Sequence, residues 1–100
     1  MIIMYQEIKL KQEMNDETKI IITFLNMSKN RMKVFNTFQN KELLTAKQIS
    51  KNNEININTV GKTLKQLKEK ELLILLNPNA RADRKYKLTE KGQKIIKYIK

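Results

Sequence analysis

The sequence predicts a mainly α-helical domain with one small β-hairpin: an N-terminal helical extension, then helix, helix, helix, hairpin, helix. Two observations carry this. Apolar residues recur at helical spacing from about Asn15 to Lys70 and again after Thr89, with a change to strand spacing over residues 72–88, and a Ser, Thr, Asn or Asp stands before each helical run. The length bounds the rest, because 100 residues fill a single domain with one core. Hydrophobic residues make up 40%, with Gly 2 and Pro 1, so little of the chain is linker. Within that compact unit, residues 1–28 form an arm and helix, and residues 29–100 form the remaining helices and hairpin.

Residues 1–14 alternate weakly, at Ile8 and Leu10, and fit strand or helix. Asn15 or Asp16 then caps a helix reaching about Met27, where an acidic first turn suits the positive end of the helix dipole. At about 100° per residue, Ile20, Ile21, Ile22, Phe24, Leu25 and Met27 spread over more than half the circumference. That is wider than the stripe one core requires, so the helix is expected to pack on two surfaces. Ser28 or Asn30 opens a second helix, about Arg31 to Asn40, with Val34, Phe35 and Phe38 on one side.

Thr45 caps a short third helix, Ala46 to Asn52, which turns Ala46 and Ile49 inward. The fourth start has Asn56 at the N-cap, Ile55 before it and Val60 at the fourth helical position, the pattern of a hydrophobic staple. Val60, Leu64 and Leu67 form its inward stripe, and it runs to about Lys70. Leu72 to Leu76 and the alternating residues 85–88 then read as a hairpin around a polar loop containing Asn77, Pro78 and Asn79. Thr89 caps the last helix, with Ile95, Ile96 and Ile99 on one side and Lys91, Lys94, Lys97 and Lys100 on the other.

Charge separates the chain into two parts. Lys+Arg 21 against Asp+Glu 10 gives a net +11. Residues 1–28 carry three basic and four acidic groups, a net −1, and residues 29–100 carry the other 18 basic and 6 acidic groups, a net +12. A surface of that sign takes a polyanion or an anionic membrane. The absence of His, Cys and Trp removes the commonest general base, the thiol nucleophile and the usual structural zinc ligands. The carboxylates are scattered and no Gly-rich phosphate loop is present, so no enzyme, cofactor or metal is expected. No apolar run is longer than Leu72 to Leu76, which falls short of the ~20 residues of a membrane span or the ~7 to 15 of a signal sequence. We therefore expect a cytoplasmic protein that does not cross a membrane, and a membrane-surface partner is not expected either, because the terminal helix carries no aromatic on its apolar side.

Two short helices joined by a tight turn form a helix-turn-helix, whose second helix can enter the major groove of DNA. On the outward side of residues 57–69 lie Asn58, Thr59, Lys62, Lys65 and Gln66, with Thr63 at the flank and Glu69 opposing near the far end. Asn and Gln can pair with adenine, Lys can reach guanine or phosphate, and Thr can touch a thymine methyl. Gly61 weakens this helix by ~1 kcal/mol relative to Ala, which we read as permitting close approach of another backbone, packing being favoured over DNA. Arg81, Arg84 and Lys85 cluster at the hairpin loop, where a guanidinium can enter the minor groove of A·T-rich DNA; the competing reading pairs Arg84 with Asp83.

At these residues the chain resembles a known family. The segments TAKQIS, ININTVGKTLKQLKEKELL and RKYKLTEKG resemble the winged helix-turn-helix regulators of the multiple-antibiotic-resistance and PadR types, over roughly Arg31 to Ile99. The resemblance implies that Asn56 to Lys70 is the recognition helix, Leu72 to Leu88 the wing, and Leu88 to Gly92 the opening of the next helix. Glu71 departs from the pattern, which usually has Gly there, and this puts the left-handed helix cap in question. The chain is also shorter than a full multiple-antibiotic-resistance regulator and lacks its paired long terminal helices, so that family's ligand pocket is not carried over.

The resulting expectation is a sequence-specific regulator of double-stranded DNA. It is joined as a homodimer by the first 28 residues, with Ile20, Ile21, Phe24 and Leu25 at the interface and the Ile95, Ile96 and Ile99 face as a second candidate. The competing reading of residues 1–28 is that they complete the monomer's core. An architectural or replication-associated DNA-binding protein uses the same module, as does a winged-helix protein-interaction or RNA-binding module.

Overall fold

In a computed structural model the described residues are 15–39 and 43–99, so the strand-or-helix choice for residues 1–14 lies outside them. Helix α1 (Asp16–Asn26) opens at Asn15, whose side chain accepts the backbone N–H of Thr18 at 2.7 Å. Helix α2 (Lys29–Asn36) opens at Ser28, whose hydroxyl accepts the N–H of Arg31 at 3.2 Å. It ends short of the expected Asn40. Asn36 and Thr37 are weak helix formers, and the N–H groups of Phe38 and Gln39 bond three residues back, to Phe35 and Asn36, which tightens the end and buries the Phe38 ring.

Helix α3 (Ala46–Asn53) begins with a capping box: Thr45 Oγ1 accepts the N–H of Gln48, and the Gln48 side chain accepts the N–H of Thr45 at 2.8 Å. It closes on Glu54 at φ 54°. Asn53 then ties the pair together, donating to Thr37 Oγ1 at 2.8 Å and to the Ile49 carbonyl at 3.0 Å. Helix α4 (Ile57–Glu69) follows after three residues, capped by Asn56, with Ile55 and Val60 both in the core as the staple pattern requires.

The end of α4 overturns one expectation. Glu71 adopts φ 62°, so the left-handed cap is kept although the residue is not glycine. Around it the Leu72 N–H bonds the Leu67 carbonyl at 3.0 Å and the Glu71 N–H bonds the Lys68 carbonyl at 2.9 Å, the paired bonds of a Schellman motif. Leu67 and Leu72 are both fully buried, and their burial offsets the ~1 to 2 kcal/mol that a left-handed non-glycine residue costs.

The hairpin consists of β2 (Leu73–Leu75) and β3 (Lys85–Leu88), paired antiparallel with Leu73 opposite Leu88 and Leu75 opposite Tyr86. A third strand, β1 (Leu44–Thr45), pairs with the other edge of β3, giving the order β1-β3-β2. Two residues have no period, so this strand is invisible in sequence; it exists because β3 supplies its partner. Helix α5 (Glu90–Tyr98) opens at Thr89. Its Gly92 lies so near β2 that a Cβ there would stand 2.2 Å from the Leu72 carbonyl oxygen, which explains why glycine occupies that turn.

One core joins all these elements, centred on Val34 and Phe35 of α2, Ile49 of α3, and Val60, Leu64 and Leu67 of α4. Helix α1 contributes Ile21 and Leu25, and α5 contributes Ile95 and Ile96. Four expected interface residues are corrected by this. Ile21, Leu25, Ile95 and Ile96 serve the monomer's core, because a single basic domain this small needs both flanking helices to close it. Among the described residues, no helix is long and apolar enough to cross a membrane.

Candidate nucleic-acid interface

Helix α4 buries Val60, Thr63, Leu64 and Leu67 along one side. At about 100° per residue, the opposite side is Asn58, Lys62, Lys65 and Glu69, all exposed. The side chains expected to contact DNA therefore divide. Asn58, Lys62 and Lys65 stand together on the outermost line. Thr59 is half-buried, and its carbonyl accepts the Thr63 hydroxyl at 2.9 Å. Thr63 itself is only 6% exposed, so its expected place at the DNA flank is corrected: a methyl and a self-satisfied hydroxyl let it serve as core.

Gln66 is exposed on the α1 side of that face, but it is not free. Both Nε and Nη2 of Arg31 donate to its Oε1, each at 3.3 Å. The expected close packing at Gly61 is also corrected, since a Cβ there would meet nothing within 4 Å. Gly61 instead opens onto a groove of about 830 Å³ between α4, the start of α3 and the hairpin loop.

That groove is where the positive charge gathers. Lys47, Lys65, Lys68, Arg81 and Arg84 line it, with Asp83 as the single acidic residue among its lining. A smaller adjoining recess of about 480 Å³ adds Lys51 and Lys85. The groove of about 740 Å³ on the other side, between α1, β2 and α5, balances Lys68, Lys91 and Lys94 against Glu17, Glu71 and Glu90. Of these two grooves, the first has the field to draw a polyanion.

The loop that presents Arg81 and Arg84 is pinned at its base. Asn77 donates to the Asp83 carbonyl at 3.1 Å and accepts the N–H of Lys85 at 2.8 Å, closing the loop across itself. Asp83 takes φ 52° to make that closure. Arg84 Nε bonds the Ala80 carbonyl at 3.0 Å, so the competing Arg84–Asp83 pair is replaced by a backbone tie that aims the guanidinium along the loop. Arg81, Arg84 and Lys85 are all exposed. Sequence reasoning missed Lys47, Lys68 and Arg31. Lys68 shares the Gly61 side of α4 and was legible in the helical period, whereas Lys47 and Arg31 reach the site only through the packing of other helices.

No family model matches the chain, and neither does any curated protein. Solved structures do match. MarR of Staphylococcus aureus, in complex with salicylate and kanamycin, aligns with a TM-score of 0.68 and 23% identity over 97% of this chain and 62% of its own. The chain has the winged helix-turn-helix fold of MarR regulators. In this winged helix, α3 and α4 are the helix-turn-helix and β2 and β3 the wing. A protein of Methanosarcina mazei Go1 named a possible transcriptional regulator aligns with a TM-score of 0.60 and 28% identity, over 81% of this chain and 73% of that one. The PcaV transcriptional regulator of Streptomyces coelicolor aligns with a TM-score of 0.64 and 15% identity over 72% of this chain. The winged helix spans 62% of the MarR chain and 54% of the PcaV chain, less than two thirds of either.

Proposed function

We propose that this winged helix is a transcriptional regulator that binds double-stranded DNA sequence-specifically, as a homodimer, at the nucleoid in the cytoplasm. Helix α4 enters the major groove with Asn58, Lys62 and Lys65 toward the base edges. The wing loop, through Arg81, Arg84 and Lys85, meets the minor groove or the backbone. The observation that carries this reading is one basic groove lined by Lys65 of the α4 row, Lys47 of α3 and the wing arginines Arg81 and Arg84, with Asn58 and Lys62 exposed on the same face of α4 as Lys65. Solved structures of the same fold named as a transcriptional regulator and a possible transcriptional regulator support it. No cofactor or metal is needed for it.

The dimer rests on α1. With Ile21 and Leu25 buried in the monomer, Ile20 at 64% exposure and the C-cap Met27 at 77% remain as large apolar groups in water, seven residues apart and so on one side of α1. A second copy covering that face gives two recognition helices and hence two half-sites.

Selection of bound duplexes from a random library, followed by titration of the best site across a salt series, tests the whole reading. The expected result is a palindromic motif whose log–log salt slope has a magnitude of several, since each neutralised phosphate contributes ~0.9. A flat salt response sinks it.

A further inference from the structure

Arg31 belongs to α2, yet the hydrogen bonds of its guanidinium all reach outside that helix. Its guanidinium lies 3.9 Å from the centroid of the Phe24 ring, and its Nη1 donates to the Phe24 carbonyl in the last turn of α1. No basic residue of α1 itself occupies that turn, so Arg31 supplies the cation that the negative end of the helix dipole favours. Its remaining fork, Nε and Nη2, closes on Gln66 Oε1 of α4. Phe24, expected at a dimer interface, is half-buried and serves as the platform for this arginine.

The chemistry of the pair fixes which way the Gln66 amide points. Arginine has five donors and no acceptor, so the amide oxygen must face it and the NH₂ group must face away. A free glutamine reads adenine bidentately, using its oxygen for N6 and its NH₂ for N7. A glutamine whose oxygen is held by an arginine fork offers chiefly donors, which suit the N7 and O6 acceptors of guanine. We propose that Arg31 is a specificity-determining positioning residue: by engaging Gln66 Oε1 from the first turn of α2, it turns Gln66 from an adenine reader into a donor for guanine-type edges. This rests on the DNA-binding reading above and adds to it which base the helix flank selects.

Two substitutions separate the fork from the charge. Arg31→Lys keeps the cation but loses the planar fork, and Arg31→Met keeps a flexible stem that packs on Phe24 without any donor. The first readout uses no DNA: the side-chain NH₂ resonances of Gln66 in the full chain. They are expected to be well dispersed in the wild type and to collapse toward those of an exposed glutamine in both variants. If the resonances are the same in all three proteins, the proposal is overturned whatever the DNA result.

The second readout is the motif selected from a random duplex library. Wild type is expected to favour guanine over adenine at one position of each half-site by at least about fivefold, the lower end of what a good base contact supplies. Both variants are expected to lose or reverse that preference, and neither is expected to change it in a Gln66→Ala background. A wild-type motif unaltered in the variants overturns the proposal while leaving the DNA-binding reading intact. Dispersed Gln66 resonances in a protein that selects no duplex reject the DNA-binding reading instead, and the specificity role falls with it.

Discussion

The hydroxyl of Thr89 donates to the Glu71 carbonyl at 2.6 Å and accepts the backbone N–H of Gly92 at 3.0 Å. One small side chain thus caps α5 and holds the residue that ends α4. The Thr89 N–H adds a bond to the Leu72 carbonyl at 3.0 Å, so the two helices that flank the wing are fastened at a single point. Thr89→Ala removes both hydroxyl contacts and should cost about 1 to 2 kcal/mol, the upper range for an N-cap. Thr89→Ser should recover most of it. Urea denaturation of the two variants checks this, and equal losses for both would show that the methyl, not the hydroxyl, matters.

The two glycines should respond to alanine with opposite signs. At Gly92 the new Cβ meets the Leu72 carbonyl oxygen at 2.2 Å, a backbone atom that cannot swing away, so the variant should lose roughly 2 to 3 kcal/mol. At Gly61 the Cβ meets open space, and the gain in helix propensity should stabilise the protein by about 0.5 to 1 kcal/mol. Thermal melts of Gly61→Ala and Gly92→Ala shifted in the same direction would contradict the packing described for α5.

Glu71 stores a small strain at the end of α4. Replacing it with glycine relieves the left-handed penalty of ~1 to 2 kcal/mol and adds ~0.5 to 1 kcal/mol of unfolded-state entropy. The net expectation for Glu71→Gly is stabilisation by up to about 1 kcal/mol, read from the denaturation midpoint. The backbone carbonyl that Thr89 grips survives the change, so the two contributions can be separated in the double variant with Thr89→Ala.

On the proposed interface, Lys62→Ala should change which bases are preferred, because Lys62 stands on the outermost line of α4. Arg84→Ala should weaken binding mainly where A·T-rich sequence flanks the site, since its guanidinium is held along the wing loop. Competition binding against duplexes that differ at the half-site or at the flank distinguishes the two. Equal losses on every duplex would mean that both residues touch phosphate alone.

For the proposed dimer, Ile20→Glu should yield a folded monomer, because that side chain is exposed. Leu25→Glu should unfold the protein, because burying an unpaired carboxylate in the core costs several kcal/mol. Sedimentation velocity combined with circular dichroism reads both outcomes. A wild type that sediments as a monomer at micromolar concentration removes the dimer.

The sequence by itself determined the helix starts, which depend on near neighbours. Asn15, Ser28, Thr45, Asn56 and Thr89 all cap the helices they precede, since a side-chain oxygen two or three residues from an orphan N–H needs no help from the rest of the fold. The Val60, Leu64 and Leu67 stripe and the change of period into the hairpin are local for the same reason. Tertiary structure decided whatever depends on a partner distant in sequence. It made a strand of Leu44–Thr45 by setting it beside β3, and it kept Glu71 left-handed by burying Leu67 and Leu72 around it. It took Ile21 and Leu25 into the core and left Ile20 in water, a choice that the apolar breadth of α1 alone left open. It also gave Gln66 to Arg31, a residue 35 positions earlier. Helical period places a side chain on a face, but which neighbour meets that face depends on how the helices pack.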